Sequence, residues 1–512
     1  MKTHRHLRRD RSLPHWCMAI LSASIGNLAF AQQVQFTPSV TVSETITDNV
    51  ALKSASAAES DMVTVIRPSI FVSRKGGVVE GSLQAMLNGA YYANGGKANK
   101  GYLTLRGTGR VEAWENHGFV DLSASISQEA LSAFGSQSAD NVTGSGNQGD
   151  ARNFLLSPYL TGRFGSTGKA DLRYTYNETE VSNSTIQNMQ RHGVSANLSD
   201  PKAFGMAGWS LALMDNYSKT TNRRDLKTQS IRATGLLQLD PQLLLRAIVG
   251  SEANNYRSDE VSRSTIMGVG ADWTISPLTK FSALWEDRFF GPGYLLSGQH
   301  RSGRFLFTGS YSKDVSSTSQ SLSGNTMINT FDFLMSAMEG LFPDEAERTT
   351  QVRNYIASNQ LPDKFAVSQA VLSNGTFLDH RLRVGVSITG ERNSLLFSGY
   401  RSERNSLTDR SFSLGGDFEQ TDKITQTGGS AILSHRLTPI TSANFGVVMT
   451  RSQRDSTAAS IAQSSRSRIL TAALSTKFTP NASGSLTLRN NRGEGTTSYT
   501  ENAVIGAISL RF

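Results

Sequence analysis

The chain has 512 residues, 51 Lys and Arg against 42 Asp and Glu for a formal net charge of +9, and one cysteine, Cys17. A mean hydropathy of −0.30 with no long apolar stretch after residue 31 excludes a bundle of membrane helices, so any crossing of a bilayer must use strands. The modest basic excess gives no reason to expect nucleic acid as a partner, and a single cysteine excludes a disulfide scaffold.

The chain opens with Arg5, Arg8, Arg9 and Arg11, followed by an apolar stretch from Trp16 to Phe30 and the small-x-small pattern Ala29-Phe30-Ala31. Residues 1–31 read as a signal peptide cleaved after Ala31, with Ala29 as the other small residue of the site. The stretch is too short for a retained anchor. Taking away Lys2, Arg5, Arg8, Arg9, Arg11 and Asp10 leaves 46 basic and 41 acidic residues, about +5. Cys17 leaves with them, so the mature segment 32–512 is expected to carry no thiol, disulfide or lipid anchor.

From Val40 onward, period-two alternation recurs. Leu103, Leu105, Gly107, Gly109, Val111 and Ala113 oppose Thr104, Arg106, Thr108, Arg110 and Glu112. After a turn at Glu115–Gly118, Val120, Leu122, Ala124 and Ile126 oppose Asp121, Ser123, Ser125 and Ser127. An apolar face beside a polar one, strand after strand, is what a wall between lipid and water requires. The pattern returns at Ala170–Asn177, Trp209–Leu213, Phe281–Trp285 and Phe305–Tyr311, with aromatic residues near strand ends as interface anchors. Short turns at Lys75–Gly77, Gly165–Gly168, Asp240–Gln242, Ser276–Pro277, Arg301–Gly303, Gly390–Arg392, Thr438–Pro439 and Pro480–Ala482 alternate with longer polar connections. Short turns belong at the periplasmic end and long loops outside, which assigns Leu131–Arg152, rich in Gly, Ser, Asn and Asp, to the cell surface. The segments number about 22.

Between about 330 and 361 the rhythm changes. Phe331, Phe333, Leu334, Met338, Leu341 and Phe342 recur at helical spacing, and Pro343-Asp344 can start a second helix. This predicts a small helical insert, either a plug in the lumen or a cap outside it. The last strand places Val504, Gly506, Ile508, Leu510 and terminal Phe512 on one face. Ile508, Leu510 and Phe512 resemble the C-terminal signal read by the barrel-insertion machinery. The expected fold is therefore all-β, one transmembrane antiparallel β-barrel of about 22 strands, in contact with lipid in the outer membrane of a Gram-negative bacterium.

Several stretches carry a family likeness. Pro38-Ser39-Val40, Glu44-Thr45-Ile46-Thr47-Asp48-Asn49-Val50, Pro68-Ser69-Ile70, Gly291-Pro292-Gly293-Tyr294 through His300-Arg301, Ser310-Tyr311-Ser312-Lys313-Asp314-Val315, and Leu341-Phe342-Pro343-Asp344 with Arg348 together resemble the PEP-CTERM-system-associated outer-membrane proteins. The resemblance covers most of the mature segment. It implies a barrel linked to exopolysaccharide production or export, with exopolysaccharide and periplasmic export proteins as partners, and it brings no catalytic residue.

By strand parity Arg106, Arg110, Arg173, Arg246, Arg288, Arg381, Arg383 and Arg489 face the lumen, together with Glu112, Asp121, Asp171, Glu252 and Glu286. Guanidinium forks bind carboxylates and phosphates, so a basic lumen would favour anionic saccharides. The same charges can instead pair across neighbouring strands and fill a polar wall. Ser434-His435 and Asp379-His380 are adjacent in strands, so their side chains point apart and neither makes a nucleophile–base couple. With no H-E-x-x-H, metal knuckle or P-loop, the sequence predicts no enzyme, metal or cofactor. A receptor with a globular plug of over about a hundred residues ahead of its barrel is disfavoured because alternation begins by Val40.

Overall fold

The computed structural model describes residues 34–512 except 145, 183, 222, 318–348, 350, 351, 353–371, 409–415, 420 and 456–461. The expected leader therefore lies outside the described residues, as does the expected insert save for Thr349 and Val352, which are both helical.

Twenty-two strands follow one another. They are β1 Gln35–Thr47, β2 Asp61–Arg74, β3 Val79–Tyr92, β4 Lys100–Trp114, β5 Gly118–Ala130, β6 Gln148–Phe164, β7 Gly168–Val181 and β8 Met189–Phe204. Next come β9 Ala207–Thr220, β10 Leu226–Asp240, β11 Leu243–Asn254, β12 Ser262–Ser276, β13 Thr279–Arg288, β14 Gly291–Ser302 and β15 Phe305–Ser317. The last are β16 Thr376–Thr389, β17 Asn393–Ser406, β18 Lys423–Arg436, β19 Thr441–Arg454, β20 Gln463–Thr479, β21 Ala482–Glu494 and β22 Tyr499–Arg511. Each strand pairs antiparallel with its neighbours in sequence, and β1 pairs with β22 from Ser39↔Arg511 to Thr47↔Ala503. The sheet is closed and has no free edge.

Alternation decides which face looks out. Val42, Ile46, Met62, Ile66, Leu103, Val249, Val269, Phe397, Phe445, Val504 and Ile508 are exposed, while the residues between them are less accessible and mostly polar or small, with Val63, Val65, Ile248 and Leu396 among the apolar exceptions. A continuous exposed apolar wall is the mark of a lipid-facing surface. Aromatic residues flank it at both ends: Trp114, Phe164, Trp209, Trp273, Phe281 and Phe478 toward the short turns, and, on part of the circumference, Tyr91, Tyr174, Tyr176, Tyr217, Tyr294 and Tyr311 toward the long loops. A carboxylate lies on the outer face beside the seam. Glu44 sits opposite Gly506 across the β1–β22 seam and accepts a hydrogen bond from Thr64 Oγ1 at 2.7 Å.

The anticipated short turns all join strands at one end, where Gly165 and Gly303 take φ of +58° and +55°, a left-handed conformation that favours glycine. The longer connections lie at the other end with one exception. Between β13 and β14 only Phe289 and Phe290 intervene, and Gly291 at φ +80° permits the reversal. Strand β15 ends and strand β16 begins at the long-loop end.

Candidate functional site: the lumen and its mouth

With strands about 4.8 Å apart and tilted near 40°, a round barrel of this size is roughly 40 Å across between backbones. A hole that wide must be narrowed from inside if it is to select. Among the described residues, the β5–β6 connection, residues 131–147, supplies a narrowing. It leaves the long-loop end as expected, but its residues Ala133, Phe134, Gln137, Val142 and Thr143 are buried. The assignment of Leu131–Arg152 to the outer surface is thus corrected: the connection folds inward, and residues 148–152 already belong to β6.

Three sets of contacts hold this tongue. On the side of the barrel seam, Arg489 of β21 lies between two carboxylates, with Nη1 2.5 Å from Asp140 Oδ2 and Nη2 2.6 Å from Glu501 Oε1. Thr47 Oγ1 also donates to Glu501, and Asn491 Nδ2 and Tyr499 Oη donate to Gln137 O at 3.0 and 2.9 Å. Over β3 and β4, Tyr92 Oη donates to Val142 O at 2.7 Å, Lys97 Nζ to Gly144 O at 2.6 Å and Lys100 Nζ to Asn141 O at 2.5 Å. On the far side, Asp417 accepts from Ser132 Oγ at 2.6 Å and Ala133 N at 2.7 Å. There Phe134 joins Phe377, Phe418 and Ile424 in a small apolar cluster.

Electrostatics follow from these contacts. Burial raises the Asp140 carboxyl, but Arg489 outweighs it and holds the group at about 2. Burial, with Lys100 nearby, lowers Lys97 to about 8 against the pull of Asp140. Asp417 is raised, chiefly by burial. A second bridge crosses the mouth where Gln187 and Asn374 exchange two hydrogen bonds of 2.9 and 2.8 Å. Between the tongue, the loops after β1, β17 and β21 and the ends of β19 and β20 lies an open cleft of about 640 Å³ that includes Lys53, Ser132, Asn147, Asp417 and Arg454.

All the residues expected to face the lumen lie on the inward face of their strands, and most of the arginines among them are in ion pairs. Arg110 meets Asp121 at 2.9 Å, Arg173 meets Asp121 at 3.0 Å and Arg246 meets Asp272 at 2.8 Å. Arg288 bridges Glu252 at 2.7 Å and Asp314 at 2.6 Å, and Arg232 meets Glu286 at 3.5 Å. Arg106 and Glu112 on β4 and Asp171 on β7 line the same wall. Much of the basic lumen is therefore a cross-strand charge ladder.

One group departs from this balance. Arg381 and Arg404 both bond Asp379, which also accepts from Ser402 Oγ at 2.8 Å. Arg383 stands opposite Tyr400, whose hydroxyl is buried without a hydrogen-bond partner. Three guanidiniums thus share one carboxylate. Parity identified Arg381 and Arg383; it missed Asp379, Arg404 and Asp140, because their significance depends on partners in other strands or loops. Ser434 is buried on the inner wall while His435 is outside, bonded to Asn393 at 2.7 Å. Among the described residues no group of His, Cys, Asp and Glu is arranged to hold a metal.

No family model and no curated protein matches the chain. Among solved structures, the apoprotein form of the FrpB iron transporter from Neisseria meningitidis (F5-1 variant) is similar with a TM-score of 0.51 at 10% identity, over 93% of this chain and 81% of that one. The F3-3 variant gives 0.49 at 9% identity over 93% and 81%. OccK8 (OprE) of Pseudomonas aeruginosa gives 0.32 at 10% identity over 93% and 98%. At such identity the first likeness is one of fold. Together with closure, the apolar wall and the two aromatic girdles, it makes the chain an outer-membrane β-barrel.

Proposed function

We propose that this barrel is a passive, loop-restricted passage for extracellular polysaccharide across the outer membrane, with a preference for anionic saccharides. The observation that carries the reading is the inward tongue 131–147, anchored at the mouth by Asp140, Arg489 and Glu501. An anchored constriction sets pore size, as a structural shell alone would not require. The anion preference rests on Arg381, Arg383 and Arg404 around Asp379, with Arg381 and Arg383 only partly buried, since Arg110, Arg173, Arg246, Arg288 and Arg489 are already in ion pairs. The link to exopolysaccharide, and to periplasmic export proteins as partners, rests on the family resemblance. Insertion through Ile508, Leu510 and Phe512 rests on the C-terminal pattern.

Planar-bilayer recording tests this reading. The chain should show a small anion-selective conductance that anionic oligosaccharides block, and replacing 131–147 by a short Gly-Ser turn should enlarge it. A second reading, a surface scaffold that binds matrix polysaccharide in the mouth cleft with a closed lumen, is favoured by the stitches Gln187–Asn374 and Ser132–Asp417. It predicts silence in both forms. A large unselective conductance from the intact chain would instead indicate a general diffusion porin.

A further inference from the structure

The girdle of tyrosines at the long-loop end of the outer wall does not continue around the barrel. From β17 to β21 its place is taken by Arg401, Arg451, Arg466, Arg468 and Arg492, all exposed and on the lipid-facing side of their strands. Register sets them side by side. Arg401 stands opposite Thr427, Thr427 opposite Arg451, and Arg451 opposite Arg466, while Arg468 faces Arg492 one row below. Acidic compensation is partial: Glu494 stands opposite Arg466 and pairs with Arg492 at 3.0 Å, and Glu403 is taken by Lys423 at 2.9 Å, which leaves five arginines with one carboxylate among them. On the opposite arc, the equivalent outer positions of β7 and β9 carry Glu178, Glu180 and Asp215 with a single lysine, Lys219.

Like charges directly opposed on neighbouring strands destabilise a sheet, and Arg451–Arg466 and Arg468–Arg492 are two such pairs in register, with Glu494 the one carboxylate set opposite Arg466. An anion lying across them would turn the repulsion into attraction. Immediately below runs exposed apolar wall, with Phe397, Leu433, Phe445, Met449, Leu470 and Leu488. The ligand that satisfies both halves carries acyl chains and a phosphorylated head. We propose that the outer face of β17–β21 binds a phosphorylated glycolipid of the leaflet at the long-loop end, with acyl chains on the apolar wall and phosphates on the arginines. Guanidinium forks take phosphate oxygens in a bidentate manner, which lysine cannot reproduce.

The test titrates the full chain in detergent with bisphosphorylated lipid A and reads bound lipid by native mass spectrometry. The Arg451→Gln/Arg466→Gln/Arg468→Gln variant should lose about tenfold in affinity, and Lys replacements at the same positions should restore only part of it. Wild-type chain should bind dephosphorylated lipid A about tenfold more weakly, and Lys219→Gln on the opposite arc should change nothing. Heat-modifiable gel mobility establishes that each variant is folded; if the triple variant is not, Arg451→Gln and Arg468→Gln are read singly, with losses above about threefold expected. A loss below about threefold in a folded variant, equal binding of the dephosphorylated lipid, or tighter binding of soluble alginate than of lipid A by the same arginines would each overturn the proposal.

Discussion

Arg489 is the residue on which closure of the mouth depends most. It is almost fully buried between Asp140 and Glu501, and Glu501 has no accessible surface. Replacing one member of such a group leaves an unpaired buried charge, so Arg489→Met is expected to destabilise the docked tongue by about 3–5 kcal/mol. The outcome is measured as increased conductance and increased proteolysis within 131–147, with the barrel itself still heat-modifiable. Asp140 adds a pH dependence. A carboxylate held at about 2, against 3.8 when free, stabilises docking fully above 3.8, and that contribution is lost as the pH falls toward 2. Asp417, raised by burial, works in the opposite sense in acid. The comparison is therefore with Asp140→Asn, which should lack the conductance rise that the wild type shows on acidification from 3.8 toward 2. In alkali, Lys97 is held at about 8 against 10.5, so docking should tighten as the pH rises between those values.

Single strands obey a rule that the sequence displays openly. Ile248 and Val249 are neighbours in β11, yet the first lines the lumen and the second is more than half exposed on the apolar wall. Arginine at Val249 should destabilise the barrel by about 2–4 kcal/mol, whereas arginine at Ile248 should cost well under half of that; urea titration of folding into vesicles measures both. Because lipid on one side and water on the other impose this alternation locally, strand positions, turns and the number of strands were legible in the chain. The fold of 131–147 was not. Its composition, rich in Gly, Ser and Asn, suits an exposed loop equally well, and what draws it inward are partners far away in sequence, Asp417 for Ser132 and Arg489 for Asp140. The arginine cluster around Asp379 was half legible for the same reason: parity gives the face, while pairing across strands decides which charges remain in excess.

At the scale of the whole barrel the lumen is lopsided. Along β17–β20 small polar side chains of the inner wall, among them Ser398, Ser402, Gln426, Ser430, Ser434, Ser442 and Ser467, are buried, and Ser398 and Ser430 bond each other at 2.8 Å. Along β10 the inward positions Thr228, Ser230, Arg232 and Thr234 keep partial access to solvent. A solute crossing this barrel should therefore travel along the β10 side. The chain allows a clean test, since Cys17 is its sole cysteine and lies in the expected leader. Thr234→Cys should react with a membrane-impermeant thiosulfonate at least about tenfold faster than Ser430→Cys, because reaction requires an accessible thiolate. If the lumen conducts, modification at Thr234 should also reduce the current, while modification at Ser430 should leave it unchanged. Equal reactivity at the two sites would mean that the inner wall is open all round.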